Sequence, residues 1–78
     1  MTVEIISPEK ITYQGKASLV QVPGSKGCFA ILKNHAPIVS TLEAGNIRLV
    51  DERNIESTFA ISGGIVEVKK NKVTILSN

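Results

Sequence analysis

The chain has 78 residues, 42% of them hydrophobic and 21% charged, with a net charge of +2, one cysteine and one histidine. That length makes one small domain with a thin core, burying about 60–65% of its unfolded surface, so a partner would add materially to its stability. The composition excludes disorder, the weak net charge argues against a nucleic-acid protein, and a single cysteine excludes a disulfide framework or a cysteine-based zinc cluster.

Val, Ile and Thr together supply 23 of the 78 residues, a β-branched excess that favours strands over helices. The opening "MTVEIISPEK" has neither the basic start and apolar stretch of a leader nor the Arg/Ser-rich character of a transit peptide. No apolar run approaches the roughly 20 residues needed to cross a bilayer, so membrane contact is expected only through a partner. Within that opening, "TVEI" alternates polar and apolar residues as a half-buried strand does, and Ser7-Pro8 marks a turn after it. Gln14-Gly15 is the next turn signal, followed by the strand pattern "SLVQV" and the turn at Pro23-Gly24. "APIVSTLEAG" is the one helix candidate, but it spans only about two turns, carries β-branched Val39 and Thr41, and stops at Gly45. It reads as a strand, ending at Ala44-Gly45. "GNIRL" alternates again, Asp51 to Asn54 form a turn, and Ser62-Gly63-Gly64 interrupts the β pattern as a bulge or a close backbone approach would. The closing "GIVEVKKNKVTIL" holds two runs around Lys70-Asn71, the mark of a tight hairpin. Turns every eight to twelve residues, about eight to ten short strands, no repeat and no linker predict one all-β unit over residues 1–78, a flattened antiparallel sandwich or barrel.

The stretch "VPGSKGCFAILKNHAP", Val22 to Pro37, holds both the cysteine and the histidine. Cys-His catalysis needs a thiol of lowered pKa, a base within hydrogen-bond reach and a group orienting that base. No motif or helix N-terminus supports this, and no cleft is expected in so small a sandwich. The better expectations are a small, semi-buried Cys28 and a surface or loop His35. Gly24-Ser25-Lys26-Gly27 has the look of a phosphate turn, yet a Walker loop precedes a helix and the GXXG clamp of KH domains sits between two. No helix is predicted on either side, so these glycines serve positive φ in a connecting loop. Lys69, Lys70 and Lys72 flank one hairpin tip, where solvated lysines are routine and discourage edge-to-edge pairing. No aromatic residue is interleaved with them to stack on single strands. Glu4, Glu9, Glu43 and Glu67 are scattered without metal-ligand spacing. The residues offer no catalytic centre, no metal site and no cofactor loop.

Three segments in order carry a resemblance. The first strand ends in "SPEK" and is followed by "YQG". Next comes "VPGSKGCFAILKNHAPIVSTLEAGNIR", similar to V-P-G-x-x-G-x-[FL]-G-[IV]-[LY]-P-G-H-A-P with a following L-x-x-G-x-[IL]-R. Last is "FAISGGIVEVKKNKVTIL", similar to F-x-[VI]-S-G-G-[FI]-[VL]-E-V and a closing strand. Together they resemble the N-terminal β-sandwich domain of the epsilon subunit of F-type ATP synthase, nearly end to end. The departures are Cys28, where the family often has an acidic residue, Ala30, where it has glycine, and Lys33-Asn34 in place of Pro-Gly.

The resemblance implies a flattened sandwich of two sheets and a mechanical, non-catalytic role. In the family this domain sits beside the gamma subunit on the ring of membrane c subunits and turns with both. Family likeness implies gamma contacts at Ser7, His35 and Ser40, and ring contacts at Gly27, Cys28 and Phe29. It implies the cytoplasmic face of a bacterial plasma membrane, reached only through the complex. Family members usually continue into two C-terminal helices that inhibit ATP hydrolysis and in some cases bind ATP. On this resemblance the chain is either a short form without them or the N-terminal domain alone, so neither property nor any cofactor is carried over. The alternative from another class is a small OB-like nucleic-acid-binding module, which would bind oligonucleotides strongly and with salt sensitivity.

Overall fold

The computed structural model describes residues 1–78 and contains eight strands and no helix. They are β1 (Thr2–Ile6), β2 (Ile11–Val22), β3 (Phe29–Leu32), β4 (Ile38–Leu42), β5 (Gly45–Asp51), β6 (Glu56–Ile61), β7 (Gly64–Lys69) and β8 (Lys72–Ser77). One layer has the order β4-β7-β8-β1-β2, and the other places β3 and β5 on either side of β2, with β6 beyond β5. Strand β2 belongs to both. Its first half pairs with β1 and its second half with β3 and β5.

The transfer happens at a bulge. Ala17 faces Asp51 and Leu19 faces Val50, so Ser18 is the extra residue, and its hydroxyl donates to the carbonyl oxygens of Val50 and Asp51. An extra residue bends the strand and increases its twist, which turns one ribbon into two packed layers.

Alternation decides what lies between the layers. Val3, Ile5, Val66, Val68, Val73 and Ile75 point inward from one sheet and Val20, Val22, Ile31, Ile47 and Leu49 from the other. No polar or charged residue is buried, so the core carries no desolvation cost of the kind an unpaired polar group would impose. "APIVSTLEAG" is a strand, as its β-branched residues predicted. Lys70 and Asn71 have φ of 51° and 61°, the two positive values of a type I′ hairpin turn, and Lys69 faces Lys72 across it.

Three expectations are corrected. Gln14-Gly15 is not a turn but lies inside β2, a strand of 12 residues. A side chain on Gly15 would meet the Tyr13 ring, whose hydroxyl lies 3.0 Å from that position, and the ring instead packs near Phe59 at 5.7 Å between centroids. The sheet is not wholly antiparallel: β1 and β8 pair in parallel from Thr2↔Lys72 to Ile6↔Leu76. Finally, β7 and β8 are interior strands, so their lysines do not guard an edge.

Candidate functional site

The loop from Pro23 to Cys28 is built by glycine in two different ways. Gly24 forms an antiparallel bridge with Leu42, and a Cβ there would come within 2.7 Å of the Gly27 carbonyl oxygen and 2.8 Å of the Phe29 ring. Gly27 has open space around it but a φ of 125°, which L side chains rarely adopt. One glycine is fixed by close approach and the other by backbone conformation. The loop is tied down by Gly27 N–H to Gly24 O at 2.9 Å, Ser25 N–H to Thr41 O at 3.0 Å and Glu43 N–H to Pro23 O at 2.9 Å. The Thr41 hydroxyl adds a bond to Ser25 Oγ at 3.0 Å.

No cleft is expected in so small a sandwich, yet this loop and the outer strand β4 border an open groove of 590 Å³. Gly27, Cys28 and Phe29 line it on one side and Ser40 on the other, between Val39 and Thr41. Ser40 faces Val66 in the β4–β7 pair, on the core side of the sheet, and is half-buried because β4 has no further strand beyond it. Cys28 is exposed, not semi-buried, while Phe29 packs its ring against the core.

Ser7 lies in the β1–β2 turn, where its N–H donates to Lys10 O at 2.9 Å and its hydroxyl to the same oxygen at 3.2 Å. It is at the same end of the molecule as the Gly24 loop, three strands across from β4, a span of about 14 Å. His35 is at the other end, in the β3–β4 loop. Its N–H donates to Leu32 O at 3.1 Å, and Nδ1–H donates to the Ala36 carbonyl oxygen at 2.7 Å. The structure therefore brings Ser40 together with Gly27, Cys28 and Phe29, and leaves Ser7 and His35 at separate places.

The four extended residues of β3 stand between Cys28 and His35, about 13 Å of chain, so the thiol and imidazole do not form a pair. No group of three or more His, Cys, Asp or Glu side chains converges on a point. Tyr13, Phe29 and Phe59 all pack against the core, so no aromatic residue stands on an outer face to stack a base as an OB-like module would. What the geometry offers is shape: a braced loop, a groove and exposed backbone.

The family profile described as "ATP synthase, Delta/Epsilon chain, beta-sandwich domain" matches residues 1–78. The chain belongs to this ATP synthase delta/epsilon family. It is 44% identical over 78 residues to an ATP synthase epsilon chain of Leptospira borgpetersenii, covering 100% of this chain and 61% of that relative. It is 40% identical to an ATP synthase epsilon chain of Chlorobaculum tepidum, covering 97% of this chain and 86% of the relative. The fold recurs in a chain of the mitochondrial ATP synthase of Euglena gracilis, with a TM-score of 0.90 at 19% identity over 96% of this chain and 48% of that one. The chain thus spans about three fifths of the length of the Leptospira epsilon chain. The three segments that carried the family likeness map onto the β1–β2 turn and the start of β2, the braced loop through β5, and the β6–β8 segment. The groove was not legible, because it depends on β4 being the outermost strand.

Proposed function

We propose that the chain is a non-catalytic central-stalk subunit of an F-type ATP synthase, linking the gamma subunit to the ring of membrane c subunits so that ion flow and ATP synthesis are mechanically coupled. The observation that carries this is the braced loop of Gly24 to Phe29 in a domain matching the epsilon chain family from residue 1 to 78. A rotor element transmits torque, so its contact loops must be stiff, and four hydrogen bonds hold this one. Similarity to a chain in a structure of the Tetrahymena thermophila central stalk and c-ring, at a TM-score of 0.82 and 20% identity, supports the same reading. In this arrangement Gly27, Cys28 and Phe29 meet the ring, Ser7, His35 and Ser40 meet gamma, and the domain lies at the cytoplasmic face of a bacterial plasma membrane.

The test is co-purification with gamma expressed alongside this chain. Ser40→Glu places a charge in a contact that loses water on assembly and is expected to weaken gamma binding by about 2 kcal/mol. His35→Ala removes a polar contact and weakens it less. His35→Ala keeps the fold, since the imidazole lies in a loop outside the buried core, and far-UV circular dichroism checks Ser40→Glu, whose side chain is half-buried on the core face of β4. Gamma retained at the wild-type level by both would refute the assigned face, and no gamma retained by the wild type would refute the function.

A further inference from the structure

Register sorts the outer face of the five-stranded layer into three cross-strand rows. Nearest the β7–β8 turn, Lys69, Lys72, Thr2 and Lys16 stand side by side on four adjacent strands, all exposed. The next row is Glu67, Thr74, Glu4 and Gln14. The third is Ile65, Leu76, Ile6 and Ile11, and three of these are 45%, 51% and 55% exposed in the order Ile65, Leu76, Ile11. Successive rows lie about 7 Å apart, two residues along a strand.

The lysine row has no internal partner. The one ion pair of the protein is Arg48–Glu56, on the other layer. Lys69 and Lys72 are directly opposed, an arrangement that costs stability between like charges. Protection of a sheet edge does not account for it, because β7 lies between β4 and β8, and β8 between β7 and β1. Lys70 adds a further charge at the turn, and Lys33 joins Lys16, Asn71 and a single carboxylate, Glu52, around a neighbouring hollow.

We propose that this lysine row is an electrostatic docking strip for an acidic segment of the gamma subunit, an inference that rests on the function proposed above. Position favours gamma over the ring. The strip is at the end of the sandwich opposite the Gly24 loop, and Asn34 N–H donates to Asn71 Oδ1 at 2.9 Å, which ties the turn to the His35 loop. Charge pattern favours a protein over a lipid surface or a nucleic acid. A uniformly anionic partner lying across the face would meet Glu67 and Glu4 in the second row, whereas a protein can present carboxylates, then cations, then apolar side chains in matching order over about 14 Å.

The experiment compares the wild type with the Lys69→Glu/Lys72→Glu variant, each titrated with gamma at about 50 mM and about 300 mM salt. The strip predicts at least about tenfold weaker binding for the variant at low salt, and wild-type binding that weakens with salt much more steeply than the variant's. Far-UV circular dichroism checks that the variant is folded, and Lys69→Gln/Lys72→Gln, which adds no charge, is expected to fall between the two. A reversed variant with wild-type affinity and salt dependence overturns the strip and leaves the proposed function standing. Failure of the wild type to bind gamma overturns both. Vesicles of mixed zwitterionic and anionic lipid supply the rival arm. Vesicle binding by the wild type that is lost in the variant, with gamma affinity unchanged, assigns the row to a membrane and overturns the proposal.

Discussion

Gly24→Ala tests whether the contact loop has its shape for the reason given. The added methyl would meet the Gly27 carbonyl oxygen at 2.7 Å and the Phe29 ring at 2.8 and 3.0 Å. Gly27 is restrained by its N–H donating to the Gly24 carbonyl oxygen at 2.9 Å, and the ring is seated against the core, so one or both must shift. Overpacking of this kind costs about 1–3 kcal/mol, and both neighbours are constrained, which puts the expected loss near 2 kcal/mol. In a domain of this size that lowers the melting temperature by about 8–16 °C. Thermal and urea unfolding followed by far-UV circular dichroism measures it. The double variant with Phe29→Ala separates the causes. With the ring removed, Gly24→Ala should cost about 1 kcal/mol less, a coupling that a double-mutant cycle resolves. A Gly24→Ala protein within about 0.5 kcal/mol of the wild type, or a cycle with no coupling, would refute the close-approach argument.

Three more variants probe the framework and the loop. Gly64→Ala combines a φ of 154° with a collision against the Leu76 backbone carbonyl where β7 begins beside the end of β8, so a loss of about 3 kcal/mol or more is expected in urea unfolding. Lys70→Asn replaces a residue at φ 51° by one that tolerates the left-handed region, and should raise stability by about 0.5 kcal/mol in the same assay. Cys28→Ser should leave the unfolding midpoint within about 0.5 kcal/mol and the coupled activity of the assembled complex within about threefold, because the thiol is exposed and far from a base.

Local patterns carried most strands, the hairpin and the positive φ of Gly27 into the sequence reading, because each depends on neighbours within a few residues, whereas Gly24 has no positive φ and is fixed instead by close approach to Gly27 and Phe29. Lys70-Asn71 is an example: the turn chemistry and the flanking alternation agree, and the φ values follow. Gln14-Gly15 shows the opposite. The same dipeptide could turn a chain, but here the Tyr13 ring occupies the space above Gly15 and reaches Phe59 on β6, a contact fixed only when the layers close. The parallel pairing of β1 with β8 was hidden likewise. Alternation gives the same signal for either direction, and the first and last strands meet only because the chain closes on itself.

Closure also makes the two ends of the sandwich chemically unlike. Gly24, Gly27, Gly45, Gly63 and Gly64 gather at one end: Gly24 bridges to Leu42, Leu42 pairs with Gly64, and Gly45 packs against Pro23. Lys16, Lys33, Lys69, Lys70 and Lys72 gather at the other, around the β7–β8 turn and the hollow beside Met1. Glycine exposes backbone and allows close, shape-dependent contact, which is short-ranged and little affected by salt. Lysine acts at a distance of about a Debye length and weakens as salt rises. Under the proposed function the ring meets only the glycine end, whereas gamma spans from Ser7 and Ser40 at that end to His35 and the lysines at the other, so salt should weaken gamma binding more than ring binding. Salt should release the lysine end first, while changes at Gly24 or Phe29 should release the glycine end and leave the salt response intact. Measuring gamma and ring retention in parallel across a salt series distinguishes this from a single shared interface, in which both partners would dissociate together.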